Sequence, residues 1–475
     1  MSSTIFDTKD SVFFVGGRGT KAGDADAGGG CTATLWGDLK SPSKALSDIM
    51  GTNGEPLSDA SAWNGSKTAC TVSNNGSGKA RITKTGAFTN CIAGLVANVM
   101  STGVLPADVN ERYEVIAVDP SGNYVDCNFD VVSGGTCDIK AGGAFDKIQT
   151  ASNKTDADST TLAHNVDILT NKNETFTDAL DEIDLSIGGG GDTNSGTKKR
   201  IIGINDSGVR LSAGSYTTID ANSYSCHVFE IPGTIDGIEL HHIYAKDCNG
   251  VMKAGFNLSA SGNGFVLNEC KSTGCYRGIS SMTSTFRSLL VLGGYYSSDT
   301  NSPIYFNLTY GVTLIGVTVK CTVNQPCIFV GGYANTLISG CAIIGNGNSA
   351  CIGIKAGGSY SFCIADNNVI YNVGHGIEVA NLTATLVEIG NIIVVAAKAT
   401  GQAIKFTSGS VLYSDYSCLW ALDGAPAATE RWEPYGIGDN SIEANPQFED
   451  AANDDFRLVR SSPCLRTDQP TLGQL

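Results

Sequence analysis

CIFVGGYANTLISGCAIIGNGNSACIGIKAGGSYSFCIADNNVIY, residues 327–371, carries one pattern twice. A short apolar string, Cys327-Ile328-Phe329-Val330 and then Cys351-Ile352-Gly353-Ile354, is followed about ten residues later by a second one: Thr336-Leu337-Ile338 and Phe362-Cys363-Ile364. A third closes each copy, Ala342-Ile343-Ile344 and Asn368-Val369-Ile370-Tyr371. Gly, Asn and Ser separate the strings, as turns require. Strands this short cannot bury an apolar face alone. Stacking successive copies does so and pairs their backbone groups, which is the logic of a solenoid.

Outward from that stretch, residues 225–424 divide into segments of roughly 23 to 28 residues. Their opening strings also include His227-Val228-Phe229-Glu230-Ile231, Val251 to Phe256, Ile279 to Met282, Ile304-Tyr305-Phe306, Ile377-Glu378-Val379 and Ala403-Ile404-Lys405-Phe406. Cysteines recur at nearly the same interval: Cys226, Cys248 and Cys270; Cys321, Cys341 and Cys363; Cys327 and Cys351. Equivalent positions of a parallel β-helix lie about 4.8 Å apart, so like residues form ladders, whereas an antiparallel sandwich imposes no such recurrence. The sixteen cysteines therefore read as mostly buried thiols packed as small hydrophobes. Asn268, Asn368, Asn391 and Asp415 fall where the second strand turns into the third, where polar ladders are expected.

Composition agrees. Of 475 residues 41% are hydrophobic and 16% charged, with 58 glycines, which is the usage of turn-rich β proteins. A formal charge of −16, with no basic run denser than Lys198-Lys199-Arg200, argues against nucleic acid as a partner. No apolar run is long enough to span a membrane, and Met1 to Asp10 reads as lacking an ordinary secretion signal.

Two flanking stretches carry a resemblance. Gly142 to Ala151 reads as a short amphipathic helix, followed by strands at Asn165 to Leu169 and Lys199 to Ile204; Asn445 to Cys464 has the form NPxFxDxxNxDFRLxxxSPC. With the coils between them they resemble the pectate-lyase-like right-handed parallel β-helix repeat proteins found in bacterial surface proteins and in bacteriophage tailspikes and virion appendages. The fold expected is all-β: a right-handed parallel β-helix (solenoid) with a small N-terminal β-rich domain. Residues 1–140 form that domain, which serves attachment and assembly. Residues 141–224 make a helix-capped approach, 225–424 the coils, and 425–475 a C-terminal cap. Strands within the first part are expected at Ala80 to Thr83, Arg112 to Asp119 and Tyr124 to Asp126.

Candidate chemistry is sparse. Glycosidases need two carboxylates roughly 5 to 10 Å apart, and Glu239 with Glu269, in second strands of adjacent coils, are the pair singled out. Tyr295, Tyr296, Tyr333 and Tyr360 are the candidates for stacking on a sugar ring. His241 and His242 are adjacent and would face opposite sides of a strand, Gly188 to Asp192 is a single Gly/Asp run, and Gly16 to Lys21 lacks phosphate-loop spacing. No metal or cofactor is expected. The resemblance and this sparseness point to a bacteriophage virion structural protein, a capsid decoration or tail appendage. It would present its β-helix for host-surface or glycan recognition as a homotrimer, held to other virion proteins by its N-terminal domain. The enzyme alternative is a tailspike-like polysaccharide depolymerase, hydrolase or lyase; a bacterial surface adhesin stands third.

Overall fold

The structure, a computed structural model, describes residues 11–15, 67–88, 93, 96–101, 111–131, 134–142, 148–149, 152, 166–170, 173–185, 198–205, 210–231, 237–259, 264–282, 288–307, 310–332, 335–359, 361–397, 399–424 and 438–465. The described residues are all-β with almost no helix: a parallel β-solenoid of about seven turns and a separate antiparallel sheet on the N-terminal side. The chain divides into two units, Met1–Glu174 with Ile187–Ser212, and Thr175–Ser186 with Ala213–Leu475.

In the first unit the antiparallel strands Lys67–Asn74, Lys79–Thr83, Tyr124–Asp130, Glu111–Val118, Val96–Ser101 and Gly135–Gly142 close, in that order, into a small barrel. Alternation fills it: Cys70, Val72, Ile82, Val115, Val125 and Cys137 point inward and are buried. Ser11–Val15 pairs in parallel with Val166–Thr170, which pairs in turn with Lys199–Gly203. Of the helix expected over Gly142 to Ala151, residues 148 and 149 are helical and most of the rest lies outside the described residues.

The second unit is the solenoid. Each coil has three strands, as the sequence pattern predicts. First strands such as Ile304–Phe306, Pro326–Val330 and Ile352–Ala356 stack in one sheet. Second strands such as Val312–Ile315, Asn335–Ser339 and Phe362–Asp366 stack beside them, and third strands such as Thr318–Cys321, Ala342–Ile344 and Val369–Val373 form another sheet. His375–Ile389 and Gln402–Asp415 each run through both the first and second positions.

One bend recurs in every coil. Between second and third strands stands a left-handed residue: His242, Glu269, Gly293, Gly316, Gly340, Asn367, Gly390 and Tyr416, all with φ between 50° and 66°; after Gly293, Gly294 is left-handed too (φ 91°). From His242 to Gly390 its amide donates to the last carbonyl of the second strand in the following coil, as in Glu269 N to Leu292 O (2.7 Å), Gly316 N to Ser339 O (3.0 Å) and Gly390 N to Asp415 O (3.1 Å), whereas the Tyr416 amide goes to Asp415 Oδ1 (2.8 Å). Four of the eight positions are not glycine and bear the steric cost of that conformation. Beside one bend, a Cβ on Gly294 would lie 2.0 Å from the carbonyl oxygen of Cys270.

The residue after the bend points into the core and carries the ladder. Cys270 and Cys341 donate their thiols to the carbonyls of Leu240 and Leu314 in the preceding coil (3.3 and 3.7 Å). In later coils Asn368 and Asn391 send Nδ2 to the equivalent carbonyls of Ile338 and Ala365, both at 2.9 Å. Asn368 Oδ1 also accepts the Cys341 amide and Asn391 Oδ1 the Asn368 amide, each at 2.9 Å. Asn368 and Asn391 thus form the expected polar ladder, while Asn268 and Asp415 end their second strands and lie outside it. Below them Glu388, fully buried at the register position of Ala365, accepts from Asn391 Nδ2 (2.8 Å), Ser414 Oγ (2.8 Å) and Ser417 Oγ.

Every described cysteine is a buried thiol, but the ladders differ from those expected. One coil spans 23 to 27 residues, so Cys226, Cys248 and Cys270 occupy three different positions of the coil. Instead Cys248 meets Cys275, its amide 3.4 Å from that sulfur, and Cys321, Cys327 and Cys351 meet one another.

After Ile442–Glu443 adds a last rung beside Cys418 and Leu419, the chain folds back. The hairpin Phe448–Asp450 with Asp455–Leu458 lies across the outer face of the third sheet as a strap. Phe448, Phe456 and Cys464 pack there with Ile344, Val369, Ile392 and Val394, and Asp454 pairs with Lys320 at 2.7 Å.

Two tests follow from the ladder. Asn368→Ala strands the buried Cys341 amide and is expected to cost about 2 kcal/mol, read as a lower urea midpoint. Burial raises the Glu388 pKa above its ordinary 4.5, so its contribution is complete below that value and is lost as pH rises through the higher folded one. Glu388→Gln should therefore gain on wild type in unfolding assays as pH is raised; a pH-independent difference would show that Glu388 does not titrate.

Candidate functional site

Two clusters on the outside of the solenoid bring chemistry together. The first is acidic. Asp184 and Glu230 are register partners on neighbouring parallel strands. Adjacent rungs hold their backbones about 4.8 Å apart. Glu182, two residues before Asp184, accepts the His227 amide at Oε2 (2.8 Å), and burial raises its pKa, with Glu230 and Asp184 adding to the shift. Glu230 accepts from Asn257 Nδ2 (2.6 Å) and from Ser259 Oγ. A carboxyl group with raised pKa next to two further carboxylates is an arrangement able to supply a general acid and a base.

His227 belongs to the same cluster. Its Nδ1 accepts the buried Ala254 amide at 2.9 Å, and burial, helped by Lys253, lowers its pKa to about 4.

The second cluster lies on the third sheet. Tyr244, Lys271 and Tyr295 are successive register partners on its outer face. The Lys271 ammonium sits 4.5 Å from the Tyr244 ring centroid, 5.7 Å from that of Tyr295 and 5.9 Å from that of Tyr216. Tyr216 meets Tyr244 edge-on at 6.2 Å. All four side chains are partly exposed. Three rings around one cation form a surface on which a sugar can stack while the ammonium meets its hydroxyl or carboxylate groups.

The sequence candidates fare unevenly. Glu239 is a register partner of Val266, not of an acid, and binds His241 at 3.1 Å, whose ring meets Asn268 at 3.2 Å. Glu269 is the bend residue of the next coil, so the two glutamates do not share a position. Tyr295 lies in the third-sheet cluster. Tyr296 cannot meet a ligand there: strand alternation turns it inward, where it is fully buried against Phe256. Tyr333 and Tyr360 lie outside the described residues. Tyr305 is taken up in a stack between Arg277 (3.9 Å) and Phe329 (4.6 Å).

Sequence reasoning missed Glu182, Asp184, Tyr216, Tyr244 and Lys271. A signal existed for two of them, since Tyr244, Lys271 and Tyr295 recur at one coil length. None existed for Glu182, which meets His227 across 45 residues of chain.

No family model matches this chain, and no curated protein matches it. Among solved structures there is a weak likeness to the catalytic domain of a GH87 alpha-1,3-glucanase in complex with tetrasaccharides. It has 10% identity and a TM-score of 0.17, and covers 72% of this chain and 86% of that chain.

The acid cluster makes a prediction about pH. Because the His227 pKa is depressed, its contribution to stability is whole above about pH 6.5 and is lost as pH falls toward about 4. His227→Gln, whose amide oxygen can still accept the Ala254 amide, should flatten the decline in thermal midpoint between those values. An unchanged slope would exclude His227 as its source.

Proposed function

We propose that this protein is a rigid recognition scaffold, a bacteriophage virion component that displays its solenoid to carbohydrate on a bacterial surface. The tyrosine–lysine cluster of the third sheet is the docking site in this reading. The observation that carries it is the Lys271 ammonium held among three partly exposed tyrosine rings. A cation beside aromatic faces favours acidic sugars, whose carboxylate it meets while the ring stacks.

Trimeric assembly belongs to the same proposal. Val266, Leu290, Thr313, Leu337, Ile364 and Val387 lie in line on the outer face of the second sheet, and Ile315 beside them is 42% exposed. In a chain of formal charge −16 this largely uncharged face is where like copies approach with least repulsion. Weak sugar contacts repeated on three copies add through avidity. The N-terminal unit is the part proposed to meet other virion proteins.

A second reading, a polysaccharide depolymerase, is favoured by one observation: the raised Glu182 carboxyl beside Asp184 and Glu230. In it Glu182 protonates the leaving oxygen and one neighbour acts as base or nucleophile.

Titration of acidic capsular or lipopolysaccharide fragments by calorimetry should show binding that weakens about tenfold in Lys271→Ala or Tyr244→Ala. Unaltered affinity in both would remove the site from the proposal. Release of new reducing ends by wild type, lost on the order of a hundredfold in Glu182→Gln, would favour the depolymerase; no release at all would end that reading. Light scattering should give three times the chain mass for wild type and a smaller species for Ile315→Asp.

A further inference from the structure

We propose that Cys418 and Cys464 are a modification site: a disulfide that fastens the C-terminal strap to the side of the solenoid. The two sulfurs lie 2.7 Å apart, closer than two non-bonded sulfurs rest, and both residues are fully buried. They come from elements with different attachments. Cys418 opens the third strand Cys418–Ala421, pinned in the stack between Ile392 and Ile442, whereas Cys464 ends the segment that follows the hairpin. Ser462 turns that segment inward, its Oγ accepting the Cys464 amide at 3.1 Å.

Other thiols that meet, Cys248 with Cys275 and Cys321 with Cys327 and Cys351, do so within the stack itself. Cys270 and Cys341 point at main-chain carbonyls of the preceding coil and serve the bend ladder; Cys418 also reaches a carbonyl, that of Ala444 at 3.3 Å. What sets the Cys418–Cys464 pair apart is its place between a stack and a cover held by Phe448, Phe456 and the Lys320–Asp454 ion pair. Apolar packing brings the strap down and so sets the two sulfurs against each other.

The oxidant is a low-molecular-weight disulfide. With oxidised glutathione, one protein thiolate attacks a glutathione sulfur and releases one reduced glutathione. The second protein thiolate then attacks the mixed disulfide and releases the other, so two thiols and one disulfide become one protein disulfide and two small thiols. Since both sulfurs are buried, exchange occurs while the strap is lifted. Once formed, the bond is shielded from reductant by the strap it holds. It closes a loop across 46 residues of chain and restricts the lifted states. This proposal is independent of the sugar-binding reading.

The test uses the full chain. Protein is incubated with oxidised glutathione, acid-quenched, alkylated in denaturant and digested with trypsin. The expected product is a peptide pair joined through Cys418 and Cys464, absent after reduction. Tryptic cleavage at Arg457 and Arg460 in the folded protein should be at least about tenfold slower in the oxidised than in the reduced form. Cys464→Ser should cleave like the reduced form in either buffer. Recovery of both residues alkylated after oxidant, or equal cleavage of oxidised and reduced wild type, overturns the proposal. The wild-type comparison decides even if the variant does not fold.

Discussion

The solenoid depends on the hydrogen bond that a single left-handed residue donates to the coil below. From His242 to Tyr416 that residue turns the second strand into the third, and as far as Gly390 its amide is spent on the next coil and not on its own. The bend therefore sets both the corner of each coil and the vertical spacing of the stack. Every residue that follows it is aimed inward at the same height. A thiol in one coil and a carboxamide in another can then do one job, donation to the preceding coil's carbonyl. The column holds a donor in some coils and an apolar side chain, Ile243 or Val317, in others.

The strands were legible in the sequence because burial alternates along them, and alternation survives in one-letter code. Stacking was legible because strings recurred at one interval. What misled was reading the interval from cysteines. Coils here vary from 23 to 27 residues, so a near-constant spacing of 22 follows no column, and Cys226, Cys248 and Cys270 drift around the coil. Asn368 and Asn391 were read correctly since buried asparagine at a turn needs partners above and below. Tyr296 was misplaced by treating two adjacent tyrosines alike when a strand must separate them. The acid cluster was out of reach: Glu182 and Asp184 precede the repeating segments, and only the parallel pairing of Ile183–Asp184 with Phe229–Ile231 sets them beside Glu230.

The three outer faces have taken different characters. The first sheet carries an ionic and aromatic file, in which Glu378 holds both Lys355 and Lys405 (2.9 and 3.5 Å). The second is mainly aliphatic. The third is divided, with tyrosines and Lys271 on its early coils and apolar residues on its later ones, where the strap covers them. Since the inward positions are occupied by the demands of stacking, variation in surface chemistry is confined to alternate residues, and recognition and assembly can be altered without touching the core.

The strap also changes how the stack can come apart. In an array where each coil touches only its neighbours, opening begins at an end and travels rung by rung, with nearest-neighbour coupling. Here one hairpin reaches from Lys320 to Cys418, so the last coils are coupled to coils that they do not themselves touch. Fraying from the C-terminal end must release all of them together, and the lower half of the solenoid behaves as one cooperative block.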